Sequence, residues 1–204
     1  LIGKHRSVKS VTDKEKSIHP RKIEIVHAAV TCFLERGYHQ TGVRDIAKQA
    51  EVSLGNLYNH FKGKEAVLAF IAEIEGKELA GFIDLLSEPD DPQAALEQFI
   101  GDYAEYVSRS ENALLGVEIL TEALRNPVIA DVFGKNRSFL IEALVRCLNI
   151  GARLGVFAPY DDQREVACMV LDSLEGHGLR SLSKKASGEI GTQTLRSIIL
   201  NGLK

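Results

Sequence analysis

The chain has 204 residues, of which 45% are hydrophobic and 26% charged, with a formal net charge of −3. That length and balance suffice for a buried core and exclude a disordered chain; no apolar run has the length of a membrane span or the layout of a signal peptide, so the expected setting is the cytoplasm. Cys32, Cys147 and Cys168 lie far apart among aliphatic residues, which argues against a disulfide framework or a zinc site and for buried free thiols.

Residues 1–18 carry Lys4, Arg6, Lys9, Lys14 and Lys16 without apolar periodicity, a basic arm that either reaches a neighbouring groove or is simply solvated. From Pro20, the residues Ile23, Val26, Val30, Phe33 and Leu34 fit one helix face, and Gly37 ends that helix. In TGVRDIAKQAEVSLGNLYNHF, residues 41–61, Val43, Ile46, Ala47 and Ala50 make a second apolar stripe. Ser53 is placed to cap a third helix, whose stripe is Leu54, Leu57, Tyr58 and Phe61. Its opposite face holds Gly55, Asn56, Asn59 and His60, and no carboxylate occurs from Val52 to Lys64. A helix entering a groove lined with phosphates should have such a face, which makes the break a helix-turn-helix turn rather than that of an ordinary helical hairpin.

Lys64 opens a long helix that runs to Ser87, where EPDDP marks a turn. Further helices are expected at about 92–109, 113–125, 127–153, 162–183 and 188–201. No alternating stretch is long enough for a sheet. The predicted fold is all-α: a three-helix head with the helix-turn-helix over 19–64 and a helical body over 65–204. Charge divides the same way, because residues 1–64 hold 12 Lys and Arg against 6 Asp and Glu, and the remainder 13 against 22. A basic reader attached to an acidic body suits a nucleic-acid partner with separate regulation.

The segment GYHQTGVRDIAKQAEVSLGNLYNHFKGKEAVL resembles the signature of the TetR family of bacterial transcription regulators, in register over about thirty residues. Two positions depart from the family pattern. Gly42 stands where Ser or Thr is usual, and Glu51 where the turn usually has Gly, at a cost of roughly 1 kcal/mol if that backbone is left-handed. The resemblance implies that Thr41 and Arg44 meet the DNA backbone, that Leu54, Gly55 and Asn56 approach base edges, and that Tyr58, His60 and Lys64 hold phosphates. It also implies a homodimer on a palindromic double-stranded operator, joined by a four-helix interface from the last two helices of each copy. The candidates there are Leu174, Gly178, Leu182, Leu195, Ile198 and Ile199.

No nucleophile with its base, phosphate loop or metal motif is visible, so no enzyme, cofactor or metal is expected. Glu118 and Glu122 read as solvent or ion-pair residues, with Glu122 spaced to pair with Arg125. Polar groups inside apolar stripes are better pocket candidates, since a buried polar atom needs a partner. Tyr103 is one, with Phe99 and Tyr106 beside it; Asn136 is another, between Phe133 and Leu140. The expected function is a DNA-binding transcriptional regulator, a repressor released by a largely apolar small molecule. The alternative is a regulator whose body answers to a protein partner and has no small-molecule pocket.

Overall fold

The computed structural model describes residues 19–182 and 192–204. These residues form α1 (Pro20–Arg36), α2 (Val43–Gln49), α3 (Leu54–His60), α4 (Lys64–Ser87), α5 (Pro92–Ser108), α6 (Ser110–Ala123), α7 (Pro127–Arg153), α8 (Gln163–Ser181) and α9 (Thr192–Gly202). No strand occurs among them. The basic arm and the expected start of the last helix lie outside the described residues. None of the described helices is long and apolar enough to cross a membrane.

Side-chain caps fix the helix starts. Asp91 accepts from the backbone N–H of Ala94 at 3.0 Å, with Pro92 at the first helical position of α5. Asn126 accepts from Val128 at 3.1 Å, and Asp162 from Arg164 and Glu165 at 2.9 Å. Each satisfies a backbone donor that the helix itself leaves free. The sixth helix begins three residues earlier than its periodicity suggests, at Ser110.

Two apolar cores result. The first joins α1, α2 and α3 around Ile25, Phe33, Ile46, Leu57 and Phe61. It does not stop at residue 64: Val67, Leu68, Phe70 and Ile71 of α4 belong to it, as do Leu115, Ile129 and Phe133 of the body. The second is built on Leu86, Leu96, Phe99, Ile100, Leu144, Leu171 and Leu174, so the distal half of α4 is buried in the body. Helices α4 and α7 lie along one another, while α8 and α9 both pack on α5.

That arrangement covers several of the residues expected at a dimer interface from within the chain itself. Leu174 is fully buried in the chain's own core, and Ile199 and partly buried Leu195 pack on it too. A Cβ at Gly178 would lie 2.6 Å from the carbonyl oxygen of Val107, so this glycine allows α8 to approach α5 within the chain. Leu182 is partly buried at the end of α8. Of the six, only Ile198 is largely exposed, at 65%. The helical wheel gives the apolar face correctly but does not say whether the chain's own body or a partner covers it. Gly178→Ala should therefore lower the free energy of unfolding by about 1–3 kcal/mol, since backbone must shift to admit the methyl group. Urea denaturation measures this, and an unchanged midpoint would contradict the packing.

Candidate nucleic-acid interface and ligand cavity

The turn between α2 and α3 rests on Glu51, the one non-glycine residue with positive φ among the described residues, at +53°. The expected left-handed backbone is present, and Val52 donates back to the carbonyl of Ala47 at 3.0 Å. Ser53 then caps α3 by accepting from the backbone N–H of Asn56 at 3.1 Å. At Gly42 a serine side chain could cap α2; glycine has none, and the Asp45 carboxylate accepts from the Gly42 N–H at 2.8 Å, giving half of a capping box.

On α3, Leu57 is fully buried and Leu54 packs partly on the head core. Gly55, Tyr58 and Asn59 are exposed together on the outward side, with Tyr58 at 50%. A Cβ at Gly55 would meet no neighbouring atom within 4 Å, so the surface there is open. The side-chain oxygen of Asn56 is buried without a hydrogen bond from the described residues. Arg44 and Lys62 are exposed beside this surface, and the His60 ring lies against that of His19, centroids 5.1 Å apart.

Two residues expected on the DNA backbone are committed inside the head. Thr41 is buried, its hydroxyl donating to the carbonyls of Gly37 at 2.8 Å and Cys32 at 3.2 Å, which fastens the α1–α2 loop to the end of α1. The Lys64 ammonium donates to the carbonyls of Tyr38 at 2.8 Å and Thr41 at 3.3 Å and sits 4.2 Å from the centre of the Tyr38 ring. It anchors the start of α4 to that same loop. Arg44, Tyr58 and Lys62 remain exposed, and His60 partly so.

The acidic pair on α6 also has different partners from those the spacing suggested. Glu118 accepts from the backbone N–H of Tyr38 at 2.9 Å. Glu122, nearly buried, lies 3.0 Å from Nε2 of His39, which Arg125 approaches at 3.3 Å. These contacts join the body to the α1–α2 loop. Residues 80 apart in sequence carry no periodic signal of such a contact.

Behind α6 lies a cavity of about 390 Å³. Its walls are Ile71, Glu75 and Leu79 from α4; Tyr103, Tyr106 and Val107 from α5; and Glu175 and Leu179 from α8. Helix α6 adds Leu115, Gly116, Ile119 and Leu120, and α7 adds Ala130, Phe133, Gly134, Arg137 and Leu140. Of the residues proposed from the sequence, Tyr103, Tyr106, Phe133 and Leu140 line this cavity. Phe99 is not on the wall: it is fully buried and stacks behind Tyr103, centroids 5.1 Å apart. Asn136 is also absent from the wall, because its amide donates to the carbonyl of Ala72 and to Glu75 Oε2, each at 2.8 Å, and so ties α7 to α4.

Sequence reasoning missed the charged part of the wall. Burial pushes the Glu75 carboxyl up to about 7, with the Asn136 bond opposing and the charges of Glu78 and Glu175 adding to the rise. Glu175 is also raised by burial, against the pull of Arg137. Glu75 and Glu175 each sit beside apolar residues of their helices, and the sign of one, a carboxylate within an otherwise buried stripe, was available at Glu75 between Ile71 and Leu79.

A family model described as bacterial regulatory proteins, tetR family, matches residues 25–70. The HTH-type transcriptional regulator UidR of Escherichia coli strain K12 is 26% identical over 158 residues, covering 77% of this chain and 79% of the relative. Among solved structures, Salmonella enterica GusR superposes with a TM-score of 0.76 at 27% identity, covering 90% of this chain and 95% of that one. The transcriptional regulator FadR from Bacillus subtilis, solved with stearoyl-CoA, has a TM-score of 0.75 at 21% identity, covers 89% of this chain and 99% of its own, and shares the fold.

The different settings of the two lysines at the start of α4 give a direct comparison. Lys64→Met should cost about 1–2 kcal/mol of stability by removing two charge-assisted hydrogen bonds, whereas Lys62→Met should stay within about 0.5 kcal/mol of the parent. Lys62→Met should instead lower the salt dependence of DNA binding by about one unit of slope. Urea melts beside binding at several salt concentrations check both; equal stability losses would show that Lys64 does not anchor the loop.

Proposed function

Because this chain belongs to the TetR family of bacterial transcription regulators, we propose that it is a homodimeric repressor that leaves a palindromic operator when a small, largely apolar molecule fills the cavity. Acting on the chromosome, it would work in the cytoplasm. The observation that carries this reading is the position of α4, whose first half is buried in the reading head and whose middle, at Ile71, Glu75 and Leu79, lines the cavity. A molecule that displaces that wall moves a helix continuous with the head. Two recognition helices must stand about 34 Å apart to enter successive major grooves, so a small rotation of each α4 suffices to break the match.

For DNA reading, α3 presents Gly55, Tyr58 and Asn59, with Asn56 at their edge. Its lack of carboxylates favours approach to phosphates, and the glycine lets backbone come close to base edges. For dimerisation, Met169 on α8 and Ile198 on α9 are exposed at 63% and 65%, which makes the outward faces of those helices the surface for a second copy. A protein partner in place of a small molecule is favoured by exposed Leu124 and Val128 beside α6, at 82% and 64%. Against that, such a regulator would have no need of an open cavity, and Leu120, 58% exposed, also lines the cavity and rims it.

Selection of bound duplexes from a random pool should return a near-palindrome whose affinity falls steeply with salt. With that operator in hand, Gly55→Leu should bind it at least about tenfold more weakly, the scale of a lost base contact, while circular dichroism stays unchanged because the added side chain meets nothing in the head. Ile198→Arg should sediment as a monomer and lose operator affinity with an untouched head. Normal operator binding by Gly55→Leu would rule out α3 as the groove-entering helix.

A further inference from the structure

The cavity wall is mostly aliphatic and aromatic, and its polar groups are almost all committed to one another. The Arg137 guanidinium is shared between Glu175, at 3.3 Å, and Asp172. The Tyr103 hydroxyl donates to Glu175 at 3.4 Å, and that of Tyr106 to Glu78 at 3.1 Å. The Asn112 amide donates to the carbonyl of Tyr106 at 2.8 Å. Glu75 differs. One of its oxygens accepts from Asn136, but no Lys, Arg or His among the described residues pairs with it, and its other oxygen takes no hydrogen bond from them.

The charges around the cavity leave a gap of one sign. Glu75 and Glu78 come from α4 and Glu175 from α8, near enough for each of the others to disfavour ionisation of Glu75. The cations facing them are Arg137 from α7, already serving two carboxylates, and Arg109 after α5, which is paired with Glu105 at 3.4 Å. A carboxylate or phosphate ligand would add a like charge beside Glu75 and find no free cation among the described residues. A neutral molecule would leave the carboxyl without a counter-charge. A protonated amine supplies both the missing charge and the missing donor, and the Tyr103 and Tyr106 rings on the same wall suit a cation as well.

We propose that the molecule recognised in this cavity is a compact apolar compound bearing one protonated amine, and that Glu75 is its counter-ion. This rests on the cavity being the effector site. Glu75 is also the point at which such a ligand would act on the rest of the molecule, since Asn136 bonds both to it and to the Ala72 carbonyl one turn earlier on α4.

The test uses three probes of one shape, 2-naphthylmethylamine, 2-naphthylmethanol and 2-naphthoate, titrated calorimetrically into the full-length protein. At pH 8 the amine should bind at least about tenfold more tightly than the alcohol, the difference made by a charge-assisted contact, and the naphthoate weakest of all. Between pH 6 and pH 8 amine affinity should rise by up to about tenfold as Glu75 ionises, the amine staying protonated, while alcohol affinity stays level. Glu75→Gln keeps the acceptor for Asn136 but removes the charge, so it should abolish the amine preference and its pH dependence while the alcohol binds as before. Gly134→Phe, which fills the cavity from α7, should abolish binding of all three. If the alcohol equals the amine, or the naphthoate binds best, or Glu75→Gln keeps the preference, and Gly134→Phe still removes binding, the cavity is the binding site but the amine assignment is wrong. If none of the probes binds, or binding survives Gly134→Phe, the cavity reading fails and the amine proposal fails with it.

Discussion

Helix α4 has to satisfy two hydrophobic cores with one rigid rod. Val67, Leu68, Phe70 and Ile71 are buried against the reading head, and Leu79 and Leu86 against the body. An α-helix transmits rotation along its length because its backbone hydrogen bonds leave no soft joint, and close-packed cores at both ends do not deform continuously. Displacement of the middle of α4 therefore has two outlets: rotation of the head, or loss of packing on one side. Of the α4 residues facing the cavity, Ile71 belongs to the head core and Leu79 to the body core, with Glu75 between them, so the cavity touches the rod where the two cores meet.

The head is held at more than one place. Lys64 ties the start of α4 to the carbonyls of Tyr38 and Thr41, while Glu118 and Glu122 of α6 reach Tyr38 and His39 from the other side. The loop between α1 and α2 thus receives bonds from both the connecting helix and a wall of the cavity. Hydrogen bonds to charged groups contribute more than neutral ones, but they also have a narrower range of good geometry. A change in α6 or in α4 that shifts one set relative to the other must stretch bonds in that single loop. Transmission from body to head then needs no long relay of side chains, only two elements that share a contact.

Legibility in the sequence followed the range of the interaction. The helices of the head and the cap at Ser53 depend on residues within one or two turns, and their spacing was sufficient to place them, while the left-handed turn at Glu51 followed from the family pattern. Tyr103 and Phe133 could be placed on the body's apolar faces for the same reason. What spacing does not supply is the identity of the surface opposite. Leu174 and Ile198 look alike on a wheel, yet one is sealed inside its own chain and the other is exposed. The family resemblance pointed Thr41 and Lys64 toward phosphate, but both are hydrogen-bonded to carbonyls at the end of α1 and in its following loop. The links from Glu118 to Tyr38 and from Arg137 to Glu175 span long stretches of chain and exist only once the helices are packed.

Glycine placement separates a cavity that is kept from one that is merely left over. Gly116 on α6 and Gly134 on α7 both line the void, and a Cβ at either would meet no atom within 4 Å. Neither glycine is required by backbone approach, unlike Gly178, whose Cβ would strike α5. In the interior of a helix each costs about 1 kcal/mol relative to alanine. Larger apolar residues at those positions would restore helix propensity and bury more surface, so the folding problem alone favours filling the space. Two helices that give up stability without a steric reason, on the same wall as a carboxylate with no cation partner among the described residues, suit the proposed binding site, which needs room for a ligand and a charge for it to meet.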